Sequence, residues 1–352
     1  MHDTDALVIG AGPVGLFQVF QLGLLGLKVH AVDALPQPGG QCAALYPQKP
    51  IYDVPGVPVC TGEELTASLL QQIRPFSGAH HSHLHLGDLV ESIRALDDPS
   101  AGFEVGTQNG QTFRTRLIVV AAGAGAFVPK GMNIPGLDAP DYVHFHLPSS
   151  DTSPAWAGQH LVVAGGGEEA LEAVAHLLQG TPESQRPARI SLMHRRDQFA
   201  VEPELEQAVR QWIASGQIGW IQGMPDHAEV EQGRLVALHV LGPDGVVRRE
   251  VLDHLLIRQG LSPKLGPLTQ WGLPLERKQI PVDVATCQTA TPGIYAVGDI
   301  NTYPGKKRLL VCGFHEATMA AHAALAWLYP DEPQHLQYTT TSTELKQRLG
   351  AA

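Results

Sequence analysis

The sequence predicts an α/β protein made of two Rossmann-like, three-layer (ββα) domains, one of them inserted in the other. Three observations predict this fold. An apolar strand, a glycine-rich turn and a helical stretch follow one another near the N-terminus, and the same order returns from Leu161 onward. A short strand that ends in Gly298 and Asp299 follows near the C-terminus. Strand, glycine turn and helix in this order are typical of a parallel sheet with helices on its faces.

The first glycine turn is Gly10-x-Gly12-x-x-Gly15, which leads into a helical stretch from Leu16 to Leu25. The first glycine permits the tight turn, the second lets a pyrophosphate approach the backbone, and the third lets the helix pack on the strand. The next strand ends at Asp33, roughly 20 residues beyond the turn, where a carboxylate accepts hydrogen bonds from a ribose. This unit therefore predicts an unphosphorylated adenosine ribose, as in FAD or NAD.

The second glycine turn contains Gly165 and Gly167, and the strand after it ends in His194, Arg195 and Arg196. An arginine pair at that strand end can bind a 2′-phosphate through charge-assisted hydrogen bonds, whereas a carboxylate there would repel it. The second unit therefore predicts NADP(H).

The segments around the two turns predict where the domains begin and end. A polar, alternating segment precedes the apolar strand that starts at Leu117, which indicates a small antiparallel segment returning the chain to the first sheet. Prolines from Pro129 to Pro154 mark the crossing into the second domain, and Gly260-Leu-Ser-Pro263 marks the return. We predict a discontinuous first domain over residues 1–128 and 258–352 and an inserted domain over residues 129–257.

Composition and charge exclude several classes of function. The chain has 352 residues, of which 43% are hydrophobic and 17% charged, as in an ordinary globular enzyme. The net charge of -11 argues against nucleic-acid binding, because no wide basic stripe covers phosphates. No stretch approaches the roughly 20 apolar residues that span a bilayer, and Asp3 and Asp5 do not suit a secretory leader. We predict a soluble, cytoplasmic protein without a membrane or nucleic-acid partner.

The strand that ends in Gly298 and Asp299 predicts a flavin site. An aspartate there can hold the hydroxyls of a flavin's ribityl chain, while the glycine leaves room for the ligand. We expect a helix in the stretch that follows Gly298 and Asp299, with its positive end facing the pyrimidine edge of the flavin. The same pair of residues is also a commonplace turn, but the first glycine turn favours the flavin site.

The four cysteines, Cys42, Cys60, Cys287 and Cys312, do not form the motif of a disulfide relay. A flavoenzyme that reduces disulfides needs a paired dithiol near the flavin, because two electrons must pass to sulfur. No Cys-x-x-Cys occurs. Pro47 lies five residues after Cys42, at the position where the dithiol arrangement of glutathione reductases has its second cysteine. We therefore predict free thiols in a reducing compartment and electrons that leave a flavin directly.

The ordered motifs of the chain resemble those of the thioredoxin-reductase-like ferredoxin–NADP reductases. The motifs that carry this resemblance over almost the whole chain are Gly10-x-Gly12-x-x-Gly15, Gly39-Gly40-Gln41, Ala43-Ala-Leu-Tyr46-Pro47, Ala122-Gly-Ala-Gly-Ala-Phe127-x-Pro129, Gly165-Gly-Gly167, His194-Arg-Arg-Asp197 and Gly298-Asp299. The resemblance implies FAD, bound without covalent attachment in the discontinuous domain, and NADPH in the inserted domain. It also implies a homodimer and ferredoxin or flavodoxin as the electron partner.

Matching the motifs position by position gives the residues that the resemblance implies for FAD, which are Asp33, Gln41, Tyr46, Val90, Phe127, Asp299 and Thr340. Tyr46 then stacks on the isoalloxazine ring. No side chain acts as an acid or a base, because the cofactors carry the redox chemistry. The chain departs from the family at Glu168 and Glu169, two acids beside the second turn, and at Ala200, where a basic residue is usual. We therefore expect weaker NADPH binding than in family members.

Other interpretations stay open at this point. A reductase of a low-molecular-weight disulfide typically has a cysteine in the first turn, where this chain has Val14. A non-catalytic, FAD-binding redox sensor with a decayed NADPH site is the second alternative. The basic run Lys306-Lys-Arg308 is either a docking patch for an acidic ferredoxin or solvated loop charge. The histidines at positions 80, 81, 83 and 85 either bind a metal or lie on the surface.

Overall fold

The computed structural model of the chain describes residues 1–76, 83–98, 101–137, 141–147, 156–333 and 335–351. The helices are α1 (Pro13–Leu24), α2 (Gly40–Leu45), α3 (Gly62–Ile73), α4 (Glu168–Ala175), α5 (Pro203–Ala214), α6 (Leu310–Leu328) and α7 (Thr343–Arg348). Within the described ranges, no helix is both long enough and apolar enough to cross a bilayer. The chain forms two compact units, Met1–Ala126 with Pro263–Ala352, and Phe127–Ser262.

The strands are, in chain order, β1 (His2–Ile9), β2 (Val29–Asp33), β3 (Pro50–Ile51), β4 (Cys60–Thr61), β5 (His83–Leu86), β6 (Val90–Ala95), β7 (Phe103–Thr107), β8 (Thr112–Val120), β9 (Ala126–Pro129), β10 (Val143–His144), β11 (His160–Ala164), β12 (Arg189–His194), β13 (Gly219–Gln222), β14 (Met224–Glu231), β15 (Arg234–Leu241), β16 (Val247–Val251), β17 (His254–Ile257), β18 (Leu261–Lys264), β19 (Ile280–Pro281), β20 (Ile294–Ala296) and β21 (Asn301–Thr302).

The first unit is built on a sheet of strand order β5-β2-β1-β8-β7-β6, with β20 paired to β8. β1, β2, β5, β8 and β20 run parallel, whereas β6, β7 and the first half of β8 pair antiparallel. The predicted antiparallel segment is therefore confirmed. Burial along β8 alternates up to Arg116 and is complete from Leu117 onward, because the second half of the strand lies in the centre of the sheet.

Both faces of this sheet are covered by apolar side chains. Ala6 and Val8 of β1 join a buried cluster with α1, α3 and α6, while Leu7 and Ile9 join a cluster on the opposite face. Alternate residues of a strand point to opposite faces, so one apolar strand contributes to both clusters. This burial fixes the register of β1 and hence the position of the glycine turn that follows it.

The second unit has a parallel five-stranded sheet of order β10-β17-β11-β12-β13 and an antiparallel sheet of order β14-β15-β16. Leu161 and Val163 of β11 pack against side chains of α4 and α5, whereas Val162 and Ala164 pack against the antiparallel sheet. Helices, parallel sheet and antiparallel sheet therefore form the three layers that the sequence predicts for this unit.

Four histidines gather on neighbouring strands of the first unit. His30 is only 3% exposed, and its ring centroid lies 5.0–5.5 Å from those of His2, His83 and His85. His30 Nδ1 is 2.9 Å from His85 Nε2. His83 and His85 are thus half-buried partners of a buried ring rather than free surface side chains. The histidines at positions 80 and 81 lie outside the described residues, and no group of three ligating side chains within those residues is arranged to hold a metal.

This cluster predicts that acid destabilises the first unit. Burial, followed by the charges of His85, His83 and Lys28, lowers the pKa of His30 from 6.5 to about 3. The unfolded chain binds more protons between these two values, so the free energy of unfolding falls as the pH drops below 6.5. We expect His30 to account for a loss of about 1–2 kcal/mol between pH 7 and pH 5.

Urea unfolding at pH 5, 6 and 7 measures this loss in the wild type and in His30→Leu, with exposed His335→Leu as the control. The pH dependence should flatten in the first variant only. An unchanged slope in His30→Leu would contradict the prediction.

Candidate functional site

The carboxyl ends of four parallel strands meet at one edge of the first sheet. The backbone joins them there: Gly10 N donates to Val32 O at 2.8 Å, Ala121 N to Ile9 O at 2.8 Å, and Val297 N to Val120 O at 2.9 Å. The residues that follow β1, β2, β8 and β20 therefore lie side by side. Ligands of open α/β sheets bind at such an edge, outside the carboxyl ends of the strands.

The three glycines of the first turn differ in what they make possible. Gly10 has a φ of +113°, and a Cβ there would lie 2.4 Å from Ala121 O. A Cβ at Gly15 would lie 1.9 Å from Gly10 O, so this glycine permits helix and strand to pack. Gly12 has only Gly40 near it, at 3.8 Å from the Cβ position, and no side chain caps α1. Gly12 thus leaves open space in front of a helix N-terminus, which suits a phosphate group.

The carboxylate of Asp33 is fixed beside this turn. Its Oδ2 accepts a hydrogen bond from Ala11 N at 2.6 Å, and its Oδ1 accepts one from Leu35 N at 2.8 Å. Burial raises the pKa of Asp33, while these two N–H groups lower it. Because a carboxylate has about four acceptor positions, about two remain for the hydroxyls of a ribose.

Helix α2 begins against the first turn. Gly39 N donates to Ala11 O at 2.8 Å, and a Cβ at Gly40 would lie 2.9 Å from the Cα of Gly12. Both residues have positive φ values, +105° and +53°, a conformation in which a side chain is strained. This pair of glycines therefore brings Gln41 and the rest of α2 to the edge of the sheet.

Gln41 and Tyr46 extend the site along α2. Gln41 Nε2 lies 3.3 Å from the position that a Cβ of Gly123 would take, next to the end of β8. Tyr46 Oη is 3.5 Å from Cys42 Sγ. Burial raises the pKa of Tyr46 most, followed by Cys42 and the nearby charge of Asp299. The structure thus brings Gln41, Tyr46 and Asp299 to the same edge as the first turn.

Asp299 belongs to a 3-10 turn, Gly298–Ile300, that packs on the first glycine turn. Gly298 has a φ of +77°, and a Cβ there would lie 3.5 Å from the side chain of Val14. A Cβ at Gly313 of α6 would lie 3.5 Å from Gly298 and 2.4 Å from Val14 Cγ2. The first turn of α6 therefore also packs against Gly298 and the first glycine turn.

The helix expected after Gly298 and Asp299 is α6, which does not follow them directly. The residues that follow form β21, which pairs with β19, and α6 begins only at Leu310. Pairing with another strand keeps the chain extended, so the helix that faces Gly298 starts later in the sequence.

The remaining residues predicted for FAD lie in different settings. Val90 is buried at the start of β6, in the same apolar cluster as Val32. Phe127 lies in β9, and its side chain lies outside the described part of the chain. Thr340 is exposed in a turn before α7. No hydrogen bond joins it to another predicted FAD residue within the described ranges. The structure thus brings Asp33, Gln41, Tyr46 and Asp299 to the sheet edge and Val90 to its core, whereas Phe127 falls in the second unit and Thr340 in an exposed turn.

The second glycine turn, in the other unit, has the same geometry as the first glycine turn. Gly165 N donates to Met193 O at 3.0 Å, and Arg258 N donates to Ala164 O at 2.8 Å. A Cβ at Gly165 would lie 2.1 Å from Arg258 O, whereas one at Gly167 would meet nothing within 4 Å. No side chain caps α4, whose N-cap is Gly167. The open space again lies in front of a helix N-terminus.

The basic residues predicted for NADP lie at the end of the neighbouring strand. A Cβ at Gly166 would lie 2.5 Å from the ring of His194, so this ring lies on the glycine turn. Burial, followed by the charges of Arg195 and Arg196, lowers the pKa of His194. Both arginines are exposed and form no hydrogen bond or ion pair with the described residues. Their guanidinium donors are thus free to bind an anion.

Arg258, which the sequence reasoning missed, lies beside the acids of the second turn. Its Nη1 donates to Phe145 O at 2.9 Å, and its Nη2 is 3.8 Å from Glu169 Oε2. The charge of Glu169 is therefore partly balanced, while Glu168 stays exposed. A charged residue placed directly after the buried strand β17 is the signal that would have found Arg258.

The cysteines carry no disulfide. Cys42, Cys60 and Cys287 are buried, Cys312 is half-buried, and all four are free. Burial raises the pKa of the Cys42 and Cys60 thiols, and raises that of Cys287 to about 12. Thiols with raised pKa values are poor nucleophiles at neutral pH, because the thiolate is the reactive form.

Comparison with known proteins shows the family of this chain. A family model described as pyridine nucleotide-disulphide oxidoreductase matches residues 4–326. The ferredoxin–NADP reductase of Methylibium petroleiphilum is 46% identical over 348 residues, which cover 99% of this chain and 93% of the relative. The chain belongs to the ferredoxin–NADP reductase family. The family resemblance that the motifs indicate is therefore confirmed.

Solved structures agree on the fold. Thioredoxin reductase from Lactococcus lactis is 20% identical, with a TM-score of 0.55, over 93% of this chain and 99% of its own. Bacillithiol disulfide reductase from Staphylococcus aureus is 14% identical, with a TM-score of 0.60, over the same shares of the two chains. This likeness confirms the predicted thioredoxin-reductase-like, two-domain α/β fold.

Proposed function

We propose that this chain transfers electrons between NADPH and ferredoxin or flavodoxin through bound FAD, without a redox-active disulfide. The observation that carries the proposal is the contrast between two otherwise similar turns. The first is followed by the carboxylate of Asp33, which suits a ribose, and the second by two exposed arginines, Arg195 and Arg196, which suit a 2′-phosphate. One chain thus offers separate sites for two different dinucleotides.

The residues around the first turn fit FAD. Gly12 leaves room for the pyrophosphate, and Asp33 keeps acceptor positions for the ribose. Asp299, whose charge contributes to the raised pKa of Tyr46, is available for the ribityl chain, and Tyr46 for the ring. When bound, FAD supplies the chemistry that links the two-electron donor to a one-electron acceptor. The protein's share is to bind and orient both dinucleotides. Gln41, Val90 and Phe127 complete the proposed FAD contacts, and Thr340, which the structure does not bring to the sheet edge, is proposed on the family resemblance alone.

The residues around the second turn fit NADPH. Gly165 and Gly167 form the phosphate turn, and His194 lies on it with the two arginines at its side. Glu168 lies at the N-terminus of α4, where its charge opposes that of a pyrophosphate. Weaker NADPH binding than in relatives stays a prediction. Arg258 partly balances the charge of Glu169 and so reduces the repulsion between Glu169 and the pyrophosphate.

The proposal extends to a cytoplasmic homodimer, as the family resemblance implies. Exposed apolar side chains in the first unit, those of Tyr52, Val57 and Val59, are available to a second copy. Light scattering of the purified protein tests the oligomeric state.

Anaerobic titration with NADPH tests the proposed function. The purified protein should be yellow, and NADPH should bleach the flavin absorbance, whereas NADH should do so far less effectively. Reduced protein should then pass electrons to ferredoxin or flavodoxin and not to small disulfides. Colour that persists with NADPH would instead support the redox-sensor alternative, and preference for a small disulfide would support the disulfide-reductase alternative.

A further inference from the structure

A buried carboxylate lies beneath the Gly298–Ile300 turn. Glu316 is 1% exposed and is the only Asp, Glu, Lys or Arg residue in α6. Its Oε2 accepts hydrogen bonds from Gly298 N at 2.8 Å and from Asn301 Nδ2 at 3.0 Å. Its Oε1 accepts one from Tyr303 Oη at 2.8 Å. The carboxylate therefore connects α6 to the turn that contains Asp299.

Lys306 completes this network from the loop between β21 and α6. Its side chain is 6% exposed, and its Nζ contacts Glu316 Oε1 at 2.5 Å and donates to Gly298 O at 2.9 Å. The interpretation of Lys306 as a docking or solvated charge is therefore wrong, because the side chain folds inward onto a buried acid. Lys307 and Arg308 remain exposed.

One ion pair thus binds both backbone polar groups of Gly298. Glu316 accepts a hydrogen bond from the N–H of Gly298, and Lys306 donates one to its C=O. Gly298 has a φ of +77°, so the turn departs from an extended strand at this residue. Two hydrogen bonds that fix the N–H and the C=O of one residue restrict its φ and ψ. They also restrict the direction in which Asp299 leaves the strand.

Stability alone does not account for this ion pair. Taking two charges out of water costs several kcal/mol per ion, and a well-packed apolar pair of similar volume is often as stable or more stable. The rest of α6 is buried through small apolar side chains such as Ala317, Ala320 and Ala321. An apolar pair would therefore attach α6 to the sheet equally well, but it would leave the backbone of Gly298 without its partners.

We propose that Glu316 and Lys306 are positioning residues for the flavin: together they hold the Gly298–Ile300 turn in the conformation that presents Asp299 to FAD. The proposal rests on the FAD site proposed above. It predicts that the ion pair controls the retention of FAD more strongly than it controls the folding of the chain.

Two variants separate positioning from stability. Lys306→Met removes one partner, and the double variant E316L/K306M replaces the pair by apolar side chains. Lys307→Met, one residue away and exposed, is the matched control. The rate of FAD release from the holoprotein is followed by flavin fluorescence. Hydrogen exchange of the FAD-free proteins is followed by mass spectrometry in the peptide over residues 297–303 and in β1.

We expect both variants to release FAD at least ~10-fold faster than the wild type and Lys307→Met, which corresponds to about 1.4 kcal/mol. Exchange in residues 297–303 should rise, while exchange in β1 stays unchanged. Wild-type release rates in either variant would overturn the proposal. Failure of both variants to fold, or an equal rise of exchange in β1, would also overturn it, since the pair would then serve folding. If the wild type itself binds no FAD, the proposed function fails instead.

Discussion

Replacing Arg195 and Arg196 together by glutamine should raise the KM for NADPH by about 100-fold or more and change the KM for NADH little. Each charge-assisted hydrogen bond contributes about 1.5–3 kcal/mol, and the double variant removes those of two side chains. Both arginines are exposed and unpaired within the described residues, so their loss should not disturb the fold. Steady-state reduction of a dye acceptor with each nucleotide measures the change.

Arg189→Gln provides the control for this experiment. Arg189 is also exposed, but it begins β12, the strand that Arg195 follows. At about 3.3 Å per residue, the two positions are roughly 20 Å apart, too far to share one phosphate. The control should keep the wild-type preference for NADPH. If R195Q/R196Q keeps it too, the assignment of the second turn to a 2′-phosphorylated nucleotide is wrong.

The variants Gly12→Ala and Gly15→Ala should lose different properties, the first FAD binding and the second stability. At Gly15 the new Cβ would lie 1.9 Å from Gly10 O, so helix and strand must move apart. We expect a loss of more than about 3 kcal/mol in the free energy of unfolding, seen as low soluble yield. At Gly12 the nearest atom to the new Cβ is 3.8 Å away, so the fold should lose only about 1 kcal/mol.

Gly12→Ala should nevertheless lower FAD affinity by about 100-fold, because the methyl group occupies the space that a pyrophosphate needs. Circular dichroism reports the fold, and the ratio of flavin to protein absorbance reports the bound cofactor. Gly167→Ala is the matched control: nothing lies within 4 Å of its Cβ position, and it belongs to the other phosphate turn. It should keep FAD. A Gly12→Ala protein that also keeps FAD would contradict the proposed site.

The residues that surround a phosphate turn could be predicted because local chain geometry demands them. Gly10 needs a positive φ and Gly15 needs the absence of a Cβ, so both requirements appear in the sequence as glycine at fixed spacing. The positions of Asp33 and Arg195 could be predicted for the same reason. In every such unit the end of the second strand lies beside the glycine turn, at a known distance along the sequence.

Contacts that depend on distant segments could not be predicted in this way. The run Lys306-Lys-Arg308 looks uniform in sequence, yet one side chain is buried and two are exposed. The difference arises because Glu316 of α6 lies where only the first lysine reaches. Glu316 itself carries a weak signal, a single acid in an otherwise uncharged helix, but its partners are set by packing.

The sequence alone determined the two units of strand, glycine turn and helix, the opposite charges at the ends of their second strands and the absence of a Cys-x-x-Cys motif, because periodicity, spacing and the sign of a strand-end charge are local properties. Only the tertiary structure decided which polar groups are buried together. The His30 cluster and the Glu316–Lys306 pair join residues from separate elements. Burial and partnership in such groups depend on how strands and helices pack, which local spacing does not record.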